Sequence, residues 1–258
     1  MATWACLAGA ALALVPAIAW LPAGPASAAT FEHDGIMFHY EVRGAGPWLL
    51  VVHGNGGDAA AMRHQVDYFS RHYRVVAMDG RDHGQSGDSP VPLTFEAMAD
   101  DLSALLSHLH AGRACVLGWS DGAIEGLLLA MRHPEQVRAI AAMAPNLDPA
   151  GLVDPPLPAA PGEAGVRAPT RAARVEALDR DEPHIEPAAL EAIRVPTLVL
   201  AGEFDAIRAE HILLIHAHIP GSELAIFNGA THMIPVEDPK RFNQRVAGFF
   251  SGAAHGCG

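Results

Sequence analysis

The chain is poor in cysteine, in aromatic residues and in basic charge. Three cysteines in 258 residues, with no C-x-x-C spacing among Cys6, Cys115 and Cys257, leave no thiolate metal site to read. Only 17 Lys and Arg stand against 29 Asp and Glu, a formal net charge of -12. That removes the electrostatic footprint expected for nucleic acid or an anionic membrane surface, and it works against polyanionic substrates. Charged residues are 18% of the chain and hydrophobic ones 50%, a balance that excludes general disorder. Both G-K-[ST] and G-x-G-x-x-G are missing, so neither common phosphate-cradling loop is present. No repeat and no second-domain linker stands out, and the length suits one α/β domain with a substantial core.

What is present begins with a separate N-terminal unit, residues 1–29. Ala2 to Leu21 is apolar and uncharged, Pro22-Ala23-Gly24-Pro25 breaks it, and Ala26-Ser27-Ala28 supplies an A-x-A-type site. This reads as a signal peptide cut after Ala28 or Ala29, with an uncleaved membrane anchor as the alternative. A secreted or periplasmic location follows, with no stable membrane association once the segment is removed.

Further along, Thr30–Val42 reads as a hairpin turning at Asp34-Gly35. Trp48–Val52 reads as a strand covered on both faces, and Asp58–His72 as a helix. Tyr73–Met78 is the next strand. Met98, Leu102, Leu105, Leu106 and Leu109 mark one face of a helix over Thr94–His110. A short buried strand is expected from Ala114 up to the turn at Gly118–Gly122, with further strands at Val137–Met143, Ile193–Ala201 and Glu223–Phe227 and a last helix at Pro239–Phe250. Strands alternating with helices predict a mostly parallel sheet covered on both sides. Residues 146–194 break the alternation. They are proline-rich at first, then helical near Arg171–Leu178 and Pro187–Ile193, and read as a short cap insertion over a fairly open pocket. The main domain is then 30–250, with 251–258 a disordered tail. A Cys115–Cys257 bridge is improbable on this reading, because one cysteine lies in a buried strand and the other in a Gly-rich tail.

The chemistry centres on Gly118-Trp119-Ser120-Asp121-Gly122. With 25 glycines in the chain, G-x-S-x-G arises by chance in roughly one such chain in ten. Its context is what counts: an apolar strand before it and a helix after it, as a nucleophile elbow requires. Serine is a poor nucleophile at neutral pH and needs a base. Of 15 histidines, His232 alone sits on the loop between the last strand and the last helix. The acid that fixes the imidazole tautomer should follow a strand between the two, and Asp205 does; Glu203 and Asp148 are the alternatives. Two amides should face the oxyanion, those of Asp121 and of Asn55 in His53-Gly54-Asn55-Gly56-Gly57. Trp119 and Asp121, flanking the serine, are candidate substrate-binding residues. No metal and no cofactor is called for.

Taken together, the H-G-x-G loop, the D-x-R-x-H-G-x-S turn from Asp79 to Ser86, the elbow, the G-x-x-D loop and the G-x-x-H loop resemble α/β-hydrolase-fold serine hydrolases from about Phe31 to Phe250. The resemblance implies an eight-stranded, mostly parallel sheet and a Ser-Asp-His triad. One departure is visible: Asp82 stands where the family's Arg-Gly-His carries glycine, which should alter that turn and leave the triad alone. The elbow is similar to that of valacyclovir-hydrolase-like esterases, which implies that Asp121 pairs with a substrate ammonium; its alternative is a helix cap. The expected activity is hydrolysis of small-molecule carboxylic esters through an acyl-serine. C–C bond hydrolysis, lactone opening and cofactor-free haloperoxidase chemistry use the same triad. A non-catalytic ligand-binding member would show a lost triad residue, and none is lost.

Overall fold

Apolar strands buried on both faces need cover on both sides, and this chain supplies it by alternating them with amphipathic helices. The computed structural model describes residues 27–154, 170–252 and 256–257. Ser27–His33 (β1) and Ile36–Arg43 (β2) form an antiparallel hairpin. Its turn residues Asp34 and Gly35 have φ of 51° and 74°, the conformation that Asp-Gly favours in a two-residue turn. Trp48–Val52 (β3), a 3-10 turn at Ala59–Met62 and Arg63–Phe69 (α1) come next. Arg74–Met78 (β4), Phe95–His108 (α2), Ala114–Trp119 (β5), Asp121–Arg132 (α3) and Val137–Met143 (β6) follow. The insertion contributes Arg171–Asp181 (α4). Thr197–Phe204 (β7), Ala209–His218 (α5), Glu223–Thr231 (β8), Ile234–Glu237 (α6) and Pro239–Phe250 (α7) complete the domain.

The strand order is β1-β2-β4-β3-β5-β6-β7-β8, parallel from β4 to β8 and antiparallel only at β1 and β2. Every residue of β5 is buried, as its central place demands. Its carboxyl end therefore opens at the middle of the sheet edge, where open α/β sheets hold their ligands. Side chains of Thr94, Thr170 and Asp238 accept the amides of Ala97, Ala173 and Arg241, which fixes where α2, α4 and α7 begin.

The structure departs from the sequence reading in several places. The helix expected at 58–72 divides, because Asp58 caps the 3-10 turn and Met62 leaves helical geometry before α1 starts. The β7 ladder begins after Pro196, which has no amide to donate. Pro187–Ala192 is a 3-10 helix. The Cys115–Cys257 bridge, improbable on sequence grounds, is formed, with Cα atoms 6.1 Å apart and both cysteines fully buried. Cys115 lies at the start of β5, the end of the sheet to which the chain returns after α7. Arg138 Nη1 donates to Gly256 O beside it. Position 257 is therefore anchored, against the expectation of a disordered tail. Residues 1–26 of the proposed leader and 155–169 of the cap lie outside the described residues. Ser27–Ala29 belong to β1, but burial begins only at Phe31, so cleavage after 28 or 29 would spare the core. Among the described residues no helix is long and apolar enough to cross a membrane.

Candidate active site

Two glycines make the turn after β5 possible. A Cβ on Gly118 would sit 2.1 Å from Gly122 O, and one on Gly122 would sit 2.4 Å from Val52 O. Between them Ser120 takes φ 56° and ψ -120°, a strained setting for a residue with a side chain. The serine amide donates to Met143 O at 2.8 Å, which holds the strain in place. Gly54 backs onto the serine: a Cβ there would lie 3.0 Å from Ser120 Cβ.

Asp205 follows β7 and His232 follows β8, and the two meet. His232 Nδ1 lies 2.7 Å from Asp205 Oδ1, and the Asp205 side chain is 2% exposed. The amides of Gly202 and Ile207 donate to the same carboxylate at 2.8 and 3.1 Å, so Asp205 is fixed before it orients the imidazole. With Nδ1 donating to Asp205, Nε2 is left as the acceptor. Glu203 instead takes the amide of Gly229 at the surface, and Asp148 caps a 3-10 turn. Neither competes for His232.

Ser120 Oγ makes no hydrogen bond to a described residue. The amides of Asn55 and Asp121 are likewise unengaged among the described residues. For Asp121 the reason is geometric, since it is the first residue of α3 and has no intrahelical partner.

The family described as alpha/beta hydrolase fold matches residues 47–173. RutD, a hydrolase of Azorhizobium caulinodans, is 27% identical over 257 residues, covering 85% of this chain and 97% of RutD. The uncharacterized hydrolase YraK of Bacillus subtilis is 40% identical over 113 residues, 43% of this chain and 42% of YraK. The crystal structure of a hydrolase from Pseudomonas aeruginosa PA01 superposes with a TM-score of 0.73 at 28% identity, covering 87% of this chain and 98% of that one. The chain has the α/β-hydrolase fold.

In this α/β-hydrolase fold the loop after β3 is held by buried histidines. His53 Nδ1 donates to Gly54 O at 2.8 Å and Nε2 accepts the Gly80 amide at 3.0 Å. Burial, then repulsion from His83, pushes the His53 imidazole down to about 4, so it is neutral. His83 donates from Nδ1 to Arg81 O at 2.8 Å and accepts the Gly56 amide on Nε2 at 3.2 Å. Asp79 ties the Asp79–Ser86 turn together by accepting the amides of Ala59 and Gln85.

The two residues flanking Ser120 differ in role. Trp119 is 8% exposed, and its indole N–H donates to His232 O at 3.0 Å. The position expected to touch substrate thus braces the histidine loop. Asp121 is 4% exposed, and its Oδ2 has no hydrogen-bond partner among the described residues. Burial, then Asp179 on α4, raises its carboxyl well above the ordinary range. Glu125, one turn further along α3, is raised by burial and then by Asp121. Asp179 is raised by burial, against the opposing pull of the Asn55 amide and of His232. Asp121, next to the serine in the chain, and Asp179 on α4 therefore repel one another.

Motif reading had no access to α4. Asn55 Nδ2 donates to Val175 O at 3.1 Å. The one available signal was Asp82, the departure from the family turn, and its partner lies 92 positions away. A cavity of about 430 Å³ opens between α4 and the Gly56-Gly57 and Asp82–Gly84 segments. Among the described residues no cluster of His, Cys, Asp and Glu could hold a metal ion.

Proposed function

We propose that the protein is an exported serine hydrolase cleaving small carboxylic esters through an acyl-Ser120 intermediate. Ser120 Oγ attacks the ester carbonyl as His232 Nε2 takes its proton. Asp205 holds the imidazole in the required tautomer and stabilises the imidazolium. The amides of Asn55 and Asp121 receive the oxyanion. Collapse expels the alcohol, which takes the proton from His232. Water, losing a proton to His232, then attacks the acyl carbon and releases the carboxylic acid with Ser120 restored. The observation that carries this reading is the partly buried Asp205–His232 hydrogen bond, at the same sheet edge as a serine in a strained elbow.

Two finer points rest on separate observations. The unpartnered Oδ2 of Asp121 supports a preference for esters carrying an ammonium on the acyl side, which would supply the missing charge. The Cys115–Cys257 disulfide supports export, since such bonds persist in oxidising compartments.

A fluorophosphonate adduct mapped to Ser120 tests the mechanism, and labelling elsewhere would sink it. A panel of amino-acid esters, neutral esters, lactones and vinylogous diketones tests the substrate class. Turnover of lactones or diketones without simple esters would replace the esterase reading. N-terminal sequencing of protein recovered outside the cytoplasm tests export.

A further inference from the structure

Asp82 occupies the position that carries glycine in the resembling families, and it keeps the glycine-like backbone with φ 61°. Aspartate is among the few residues that adopt this conformation readily. Its side chain is fully buried, and it accepts Arg174 Nη2 on Oδ1 at 2.7 Å, Arg174 Nε on Oδ2 at 2.5 Å and the Ser89 amide at 2.8 Å. Such a two-point guanidinium–carboxylate contact fixes orientation as well as distance. One turn earlier on α4, Arg171 reaches Asp88, Gly84 O and Ser86 O.

These contacts matter because α4 has little else to hold it. Leu178 is its one buried residue, too small an apolar face to seat a helix. On its other flank α4 grips the oxyanion loop. Val175, adjacent to Arg174, accepts from Asn55 Nδ2. The turn that holds Arg174 also holds His83, which receives the Gly56 amide. Asn55 is thus steadied from both sides by one turn, directly through His83 and indirectly through α4.

We propose that the Asp82–Arg174 ion pair is a latch that seats the cap helix on the oxyanion loop, making both residues positioning residues for the Asn55 amide. The activity part of this inference rests on the serine-hydrolase reading; the latch itself does not.

The test uses Asp82→Gly, Arg174→Met, Arg174→Lys and the double variant Asp82→Gly/Arg174→Met in the full chain. Asp82→Gly is chosen because glycine suits the backbone and should leave the fold intact. Four readouts are compared: kcat and KM on a small p-nitrophenyl ester, affinity for an alkyl boronic acid, affinity for the product carboxylate, and hydrogen exchange across residues 53–57. The boronate mimics the tetrahedral state and the carboxylate mimics the ground state.

The expected result is a kcat about 10-fold lower in each single variant, below the full loss of an oxyanion donor. Boronate affinity should fall in parallel while carboxylate affinity stays within two-fold. The double variant should be no worse than either single one, and Arg174→Lys should recover part of the loss. Exchange across 53–57 should quicken in Asp82→Gly. A folded Asp82→Gly with wild-type kcat, additive losses in the double variant, or equal loss of boronate and carboxylate binding would each overturn the proposal. Unchanged exchange would overturn the latch even in a fully active enzyme. A wild type that never labels at Ser120 would defeat the hydrolase reading and the latch's catalytic role, while the exchange result still decides whether the latch exists.

Discussion

Asp205 Oδ1 and His232 Nδ1 lie 2.7 Å apart, joined across two loops that are 27 residues distant in the chain. The contact exists because the β7–β8 pairing shifts register after Gly202 and Phe227 and resumes at Phe204 and Thr231, one residue short of each partner. The strand ladder therefore sets the spacing, and the loops need only turn the side chains inward.

That relationship makes Asp205→Asn the most diagnostic substitution. It keeps the shape, removes the charge and releases the tautomer, so kcat should fall by about 10³–10⁴-fold with KM little changed. Ser120→Ala should lose at least as much. Steady-state kinetics on a chromogenic ester provides the measurement. A loss under ten-fold for Asp205→Asn would transfer the role to another carboxylate.

His53 predicts acid lability. Its imidazole is held near 4 against 6.5 in the unfolded chain, so between those values the unfolded state binds the extra proton. The contribution to stability is complete above pH 6.5 and is lost as pH falls toward 4, a loss of about 3 kcal/mol. Urea unfolding from pH 7 to 4, compared with His53→Gln, isolates it. The variant should start less stable and show a shallower slope; parallel slopes would contradict the assignment.

For Asp121 the sign is reversed. A buried carboxyl raised above its unfolded value weakens the folded state as pH rises past about 4. Asp121→Asn should therefore gain stability relative to wild type on going from pH 4 to pH 8. The Tm gap between variant and wild type should widen over that range, read by calorimetry at the two pH values. The same variant should lose more activity on amino-acid esters than on neutral ones.

The disulfide predicts a larger effect. Cys115 and Cys257 close a loop spanning 142 residues, so Cys257→Ser should lose about 2–5 kcal/mol of stability. Calorimetry under non-reducing conditions would show a Tm lower by about 5–15 °C, with kcat on a small ester within two-fold of wild type.

Sheet, elbow, histidine loop and acid loop were all legible in the sequence, because each depends on local pattern. Glycines 118 and 122 mark a turn that tolerates no side chain, and the apolar run before Ser120 marks a central strand. What escaped depends on long-range meetings. Arg174 and Asp82 lie 92 positions apart, and nothing near either names the other. Cys257 follows a Gly-rich stretch that resembles an unattached tail, and only the return of the chain to the start of β5 brings it home. The second engagement of Trp119 is of the same kind: its neighbours place it beside the serine, but the hydrogen bond from its indole to His232 O is a tertiary fact.

The bond between Cys115 and Cys257 has a practical bearing on any laboratory handling. Protein made in a reducing host, or stored with dithiothreitol, and protein made in an oxidising one are two chemical species sharing a sequence. The strand they differ on leads directly to Ser120. Specific activities from different preparations become comparable only once the thiol content of each batch has been measured and matched.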